Sequence, residues 1–216
     1  MKSKVQSIMP KITKDQMQIL RKLISGHSTI RYGILQSAVY QTVENHTNRM
    51  LALAPVIAER AKLKFDSNEL FAFILAHDLP ELGMERDITI LEQAEQKGAK
   101  QKKDEIEKQR KAELGTEYGA WLSNLFNEYE ESKTGVTRFV KWLDKYEASR
   151  HMLEIDLHSE IALKSFNINT LRMVEATLKI PALREITSKH MDKELRPIWE
   201  RYKQLDAFLE LRRRLQ

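Results

Sequence analysis

The chain has 216 residues, 42% of them hydrophobic and 31% charged, with a formal charge of +5 and no cysteine. That length and apolar content support one domain, or one domain with an appended piece. The missing cysteine excludes disulfides and thiolate metal sites and fits a reducing, cytoplasmic setting. No apolar run approaches the length of a membrane span, and Met1-Lys2-Ser3-Lys4-Val5 lacks the hydrophobic core of a signal peptide, so no membrane partner is expected.

The basic excess, with a pI of about 9.2, invites a nucleic-acid reading. Its basic residues are interleaved with acids, however, and only Leu211-Arg212-Arg213-Arg214-Leu215 forms a compact cluster. Terminal arginines more often complement a helix dipole in solvent, so nucleic acid is not expected as the main partner. The same excess favours capture of a phosphorylated small molecule.

Glycine and proline are scarce, at seven and five, and no hairpin dipeptide or sustained alternation occurs, so the fold is expected to be all-α. In chain order, Thr13 with Gln16 has the form of a capping box, and Met17, Leu20, Leu23 and Ile24 make one apolar stripe ending near Gly26. Residues 27 to 42 are less regular, with Arg31 and Tyr32 adjacent. The next stripe runs through His46, Met50, Leu53, Ile57 and Ala61, with a kink expected at Pro55. A further helix starts at Asp66, which repeats the capping-box form with Glu69, and buries Leu70, Phe71, Ile74 and Leu75. His77 continues the line of Leu70 and Ile74 into the interior. The residue before a proline is biased away from helix, so this helix ends or kinks at Leu79, before Pro80.

Residues 92 to 113 are densely charged, including Lys103 and Lys111, and read as a solvated helix face or mobile segment. The lesser alternative is a lid whose lysines approach a phosphate. Helical packing resumes with Tyr118, Leu122, Leu125 and Tyr129, and then with Val136, Val140 and Asp144. Later stripes pass through Leu183, Ile186 and His190, and through Leu205, Phe208 and Leu209. His151, His158 and His190 lack motif context and read as surface or satisfied core residues. The division expected is an N-terminal helix (1–27), a helical bundle (28–160) and a C-terminal helical extension (161–216) that supplies extra packing or a homodimer surface.

Chemistry concentrates at Phe71-Ala72-Phe73-Ile74-Leu75-Ala76-His77-Asp78-Leu79-Pro80-Glu81, where an apolar run ends in three functional groups. A lone His-Asp pair also reads as a buried histidine held by its neighbour. His46 and Asp144, however, fall on apolar stripes too, where polar side chains cost free energy unless paired or bound to metal. Two histidines and two aspartates make a candidate mononuclear site for a first-row divalent cation.

The order His46, then His77-Asp78 with Glu81 three residues on, then a distant Asp144 resembles the HD-domain phosphohydrolase superfamily, and most closely its 5′-deoxynucleotidase branch. Val43-Glu44-Asn45-His46, the run from His77 to Glu81, Phe126-Asn127-Glu128-Tyr129-Glu130-Glu131 and Arg138-Phe139-Val140-Lys141-Trp142-Leu143-Asp144-Lys145 carry the likeness, over roughly residues 28 to 150. The resemblance implies an HD-domain helical bundle and one divalent metal ion per chain, with His46, His77, Asp78 and Asp144 as its ligands. Co²⁺, Mn²⁺, Fe²⁺ or Mg²⁺ would serve. It makes Glu81 the catalytic carboxylate, with Asp87 and Glu128 as further site acids, and sets Arg31 and Tyr32 at the sugar, where the family usually has Trp in place of Tyr32. The activity implied is hydrolysis of nucleoside 5′-monophosphates. The alternatives are another HD phosphohydrolase acting on cyclic nucleotides or nucleotide polyphosphates, a non-catalytic nucleotide-sensing module, and a helical interaction protein.

Overall fold

The computed structural model describes residues 11–25, 30–31, 41–81, 88–154 and 160–215. Helix α1 (Lys14–Ile24) is fixed at its start by a reciprocal pair: the Gln16 backbone N–H donates to the Thr13 hydroxyl at 3.2 Å, and the Thr13 N–H donates to the Gln16 side chain at 2.8 Å. Two N–H groups near the helix start are thereby satisfied. Met17, Leu20 and Ile24 are buried as the stripe requires. A two-residue ladder follows, in which β1 (Ile30–Arg31) pairs antiparallel with β2 (Gln41–Thr42), Arg31 opposite Gln41. It is too short to leave an alternating pattern in the sequence, and the remaining regular structure among the described residues is helical, so the chain is an all-α protein.

The Thr42 hydroxyl caps α2 (Val43–Arg60), which continues past the exposed Pro55 and turns His46, Met50, Ala54 and Ile57 inward. The Asp66 carboxylate accepts from the N–H groups of Asn68 and Glu69 to start α3 (Ser67–Ala76). This helix stops three residues before the expected Leu79. Continuing the α-helix would drive the Pro80 ring into the Ala76 carbonyl four residues back, and the chain instead tightens into a 3₁₀ turn, Leu79–Glu81, closed by the Glu81 N–H to the Asp78 carbonyl at 3.0 Å.

The charged run forms α4 (Ile90–Glu95), capped by Thr89 with Glu92, and α5 (Ala99–Tyr118). Helix α5 crosses α6 (Ala120–Glu131) so closely at Gly115 that a Cβ there would sit 2.2 Å from the Ser123 hydroxyl. Next comes α7 (Gly135–Met152), the centre of the bundle, which packs against α2, α3 and α8 (Glu160–Leu178). The Trp142 indole N–H is shared by the hydroxyls of Thr177 (2.9 Å) and Thr187 (3.2 Å), tying α7 to the later helices.

The C-terminal part adds α9 (Arg184–His190), a wide π-type turn (Met191–Leu195), α10 (Arg196–Arg201) and α11 (Leu205–Arg213). Pro197 has no N–H to return to Lys193, and the wide turn relieves that gap. Phe166, Trp199 and Phe208 close this part onto α8, whereas Leu209, expected on the same inner stripe, is 41% exposed. Each terminal arginine has a carboxylate partner: Arg212 meets Asp192, Arg213 meets Glu210 and Arg214 meets Glu175. None of the described helices is long and apolar enough to cross a membrane.

Candidate active site

His46 projects inward from the first turn of α2, His77 caps the C-terminus of α3 with Asp78 beside it, and Asp144 points in from the middle of α7; all four are buried. The early stop of α3 serves this arrangement, because the turn before Pro80 presents His77 and Asp78 toward the same point. His46 Nε2 lies 3.3 Å from His77 Nε2 and 3.3 Å from Asp144 Oδ1. Asp78 Oδ2 lies 3.2 Å from His77 Nε2 and 3.8 Å from His46 Nε2. Ligand atoms of His46, His77 and Asp144 all fall within 4.8 Å of one another.

The tautomers follow from the outer contacts. His77 Nδ1–H donates to the Ile74 carbonyl at 2.6 Å, and His46 Nδ1–H donates to the Glu147 carboxylate. Both partners are pure acceptors, so each Nδ1 carries a proton, and in the neutral ring each Nε2 is left with a lone pair facing the cluster. Two lone pairs and two carboxylates converging in a buried space call for a positive charge between them. Burial alone would lower the His77 pKa. The charge and hydrogen bond of Asp78, helped by Asp144 and the Ile74 carbonyl, outweigh it and raise His77 above the ordinary histidine value, which again marks a site that favours positive charge.

Glu147, one turn beyond Asp144, is fully buried and bridges three groups: His46, Arg49 Nε at 2.7 Å and the Gln41 amide at 2.9 Å. A carboxylate behind the imidazole fixes the ring orientation and makes Nε2 a better donor to a cation. The ladder register places the Arg31 backbone opposite Gln41. Sequence reasoning missed Glu147, although the i, i+3 spacing of Asp144 and Glu147 on a buried helix face was the available signal.

A cleft of about 210 Å³ opens over this cluster, lined by His77, Asp78, Glu81, Glu107, Lys111 and Tyr129 among others. The Lys103 ammonium, from α5, contacts the Glu81 carboxylate and lies 3.5 Å from Glu107. Burial would lower Lys103, but the charge and hydrogen bond of Glu81 carry its pKa well above the usual lysine value. Glu107 moves the other way from an exposed acid: burial raises it, and Glu81 adds to that against the opposing pull of Lys103. The charged run is therefore more than a solvated face, since α5 walls the cleft and anchors Glu81.

A family model for the HD domain matches residues 27–187, about three quarters of the chain. The chain belongs to the HD-domain family. Within that family the general chemistry is metal-dependent phosphohydrolysis, and the matched stretch runs from before β1 to α9. No curated protein and no solved structure matches the sequence.

HD domains bind divalent metals, and the donor set here fits one: two imidazole nitrogens with their lone pairs turned inward, and carboxylate oxygens beside them. Other expected site residues are placed less centrally. Glu128 is half-buried on α6 and is not among the described residues lining the cleft, whereas its neighbours Tyr129 and Glu130 are: the Tyr129 ring lies under Lys141 of α7, and the Glu130 carboxylate meets Lys111 of α5. Tyr32 and Asp87 lie outside the described residues, and Arg31 is described as backbone alone. His151 and His190 are buried in the core, with His151 Nδ1 3.4 Å from the Glu154 carboxylate and His190 Nε2 2.8 Å from the Ser149 hydroxyl.

Proposed function

We propose that this HD domain is a phosphomonoesterase that converts nucleoside 5′-monophosphates, preferentially the deoxyribonucleotides, to nucleoside and inorganic phosphate. The observation that carries the reading is the buried convergence of His46, His77, Asp78 and Asp144 beneath a cleft that also holds Glu81. In this reading His46 Nε2, His77 Nε2 and carboxylate oxygens of Asp78 and Asp144 hold one divalent cation, with Co²⁺, Mn²⁺, Fe²⁺ and Mg²⁺ as the candidates. Such a cation, when bound, neutralises phosphoryl charge and lowers the pKa of a coordinated water.

The chain's own residues do the rest. Glu147 and the Ile74 carbonyl lock the two imidazoles so that both lone pairs stay directed inward. Glu81 takes the proton from the attacking water, and Lys103 holds its carboxylate in place from α5. Lys111 lines the same cleft and adds positive charge near the substrate's phosphate. The floor of the cleft is buried at His77, Asp78, Phe126 and Asp144, which strengthens the interactions made there. The preference for deoxyribose rests on the likeness of Arg31-Tyr32 to the pair at the sugar in the 5′-deoxynucleotidases.

The test is phosphate release from a panel of nucleotides with each of the four metals. The expected result is release from 5′-monophosphates only with metal present, dAMP exceeding AMP. Turnover of cyclic nucleotides or triphosphates with none of the monophosphates would overturn the assignment.

A further inference from the structure

Helix α7 carries Arg138, Lys141 and Lys145 along one stripe, and α8, packed against it, carries Arg172 and Lys179 along the facing one. The two stripes border an open cavity of about 330 Å³, a size that suits a small ligand. A run of cations on a convex face is ordinarily just solvated. Here the surface is concave, and its positive charge is poorly matched. Glu175, on the same wall, is 3.7 Å from Arg214 outside the pocket. Arg138 donates to the carbonyls of Ser132 and Lys133, and Lys141 donates to the Glu130 carbonyl at 2.9 Å while lying 5.1 Å above the Tyr129 ring. Carbonyl oxygens satisfy hydrogen bonds but carry no countercharge. The Lys141 pKa is lowered, first by burial and then by Lys179 and Lys145, against the opposing pull of Asp144, the response expected where cations outnumber the acids beside them.

The pocket is continuous with the metal cleft, since Tyr129, Asp144 and Lys145 line both. Asp144 spans the junction: Oδ1 is 3.3 Å from His46 Nε2 and Oδ2 is 2.6 Å from Lys145 Nζ. A molecule with one phosphate at the His/Asp cluster therefore extends its next group past Lys145 into a basket of positive charge.

We propose that the α7–α8 pocket is a subsite for a second phosphate, and that this enzyme also acts, more efficiently than on simple monophosphates, on nucleotides bearing a phosphate besides the one removed. This rests on the phosphohydrolase reading above and extends its substrates beyond the monophosphates. The chemistry is unaltered: water oxygen bonds to phosphorus at the cluster, the bond from phosphorus to the leaving oxygen breaks, and that oxygen takes up a proton. The second phosphate stays on the leaving group, held by Lys141, Lys145, Arg172 and Lys179. It is either the 3′-phosphate of a nucleoside bisphosphate or the inner phosphate of a nucleoside diphosphate.

Steady-state kinetics of the Mn²⁺-loaded full chain with adenosine 3′,5′-bisphosphate, ADP and AMP distinguish these sources. One of the two-phosphate substrates should exceed AMP in kcat/KM by about tenfold or more. That ratio should fall about tenfold in Arg172→Gln and in Lys179→Gln, the loss of one charge-assisted hydrogen bond. Both residues are exposed, so both variants are expected to fold. AMP equalling both rivals, or a ratio unchanged in both variants, overturns the subsite. Turnover of none of the three would count against the phosphohydrolase reading instead. Equilibrium dialysis of the same ligands against wild type and Lys179→Gln then decides the subsite alone: tighter binding of a two-phosphate ligand that the variant loses supports it, and equal binding refutes it.

Discussion

Glu147 accepts the Nδ1–H of His46 at full burial, although the two residues stand 101 positions apart in the chain. The pair joins α2 to α7 and aims His46 Nε2 at the cluster that His77, Asp78 and Asp144 complete. A buried carboxylate is tolerated only when its neighbours compensate the lost hydration, and Arg49 and Gln41 supply further contacts.

Glu147→Gln, which keeps the shape and removes the charge, is predicted to weaken divalent-metal binding about 10- to 100-fold, read by competition with a chromogenic chelator. Glu147→Ala strips two buried donors of their acceptor and should cost roughly 2–5 kcal/mol in urea unfolding. Metal affinity unchanged in the Gln variant would show that Glu147 serves the fold alone.

Asp78 and Glu81, three residues apart, should separate cleanly. Asp78→Ala is predicted to lose both metal and turnover. Glu81→Ala should retain the metal and lose roughly two to four orders of magnitude in kcat, the range for a general base. Metal content measured beside kcat makes the distinction, and release of the ion from Glu81→Ala would reassign Glu81 as a ligand.

Lys103→Met removes the ammonium that contacts Glu81. Metal content should be unaffected, while kcat falls about 10- to 100-fold because the carboxylate is no longer held in position. Wild-type kcat in this variant would show that α5 covers the cleft without taking part.

The pH dependence of stability follows from two histidines away from the cluster. Burial lowers the pKa of His190 against the opposing charge and hydrogen bond of Glu194, and burial likewise lowers His151 against Glu147 and Glu154. Below about pH 6.5 the unfolded chain protonates these residues while the folded chain does not, so the unfolded state binds more protons and stability falls with pH by up to about 1.4 kcal/mol per unit for each histidine. Urea unfolding of the metal-free protein between pH 8 and 5.5 should show a shallower acid-side decline in the double variant His151→Gln, His190→Gln. Equal slopes would contradict the account.

Local signals in the sequence located much of this. Thr13 with Gln16 starts α1, Asp66 starts α3, and the Leu70, Ile74, His77 line is buried, because capping and helical period are short-range properties. The four buried donors were legible as polar residues on apolar stripes. Glu147 was not, because its role depends on His46, Arg49 and Gln41, all on distant elements. Nor could composition tell which lysine of the 92–113 run folds back onto Glu81; the crossing of α5 over the 3₁₀ turn selects Lys103. The end of α3 was misplaced because Pro80 acts on the carbonyl four residues back, at Ala76, as well as on its immediate neighbour.

The central claim is that His46, His77, Asp78 and Asp144 form one metal centre. Elemental analysis of the protein after Mn²⁺ or Co²⁺ reconstitution and gel filtration tests it most directly. The prediction is about one ion per chain, falling to background in Asp78→Ala; a wild-type protein that retains no ion after reconstitution would contradict it.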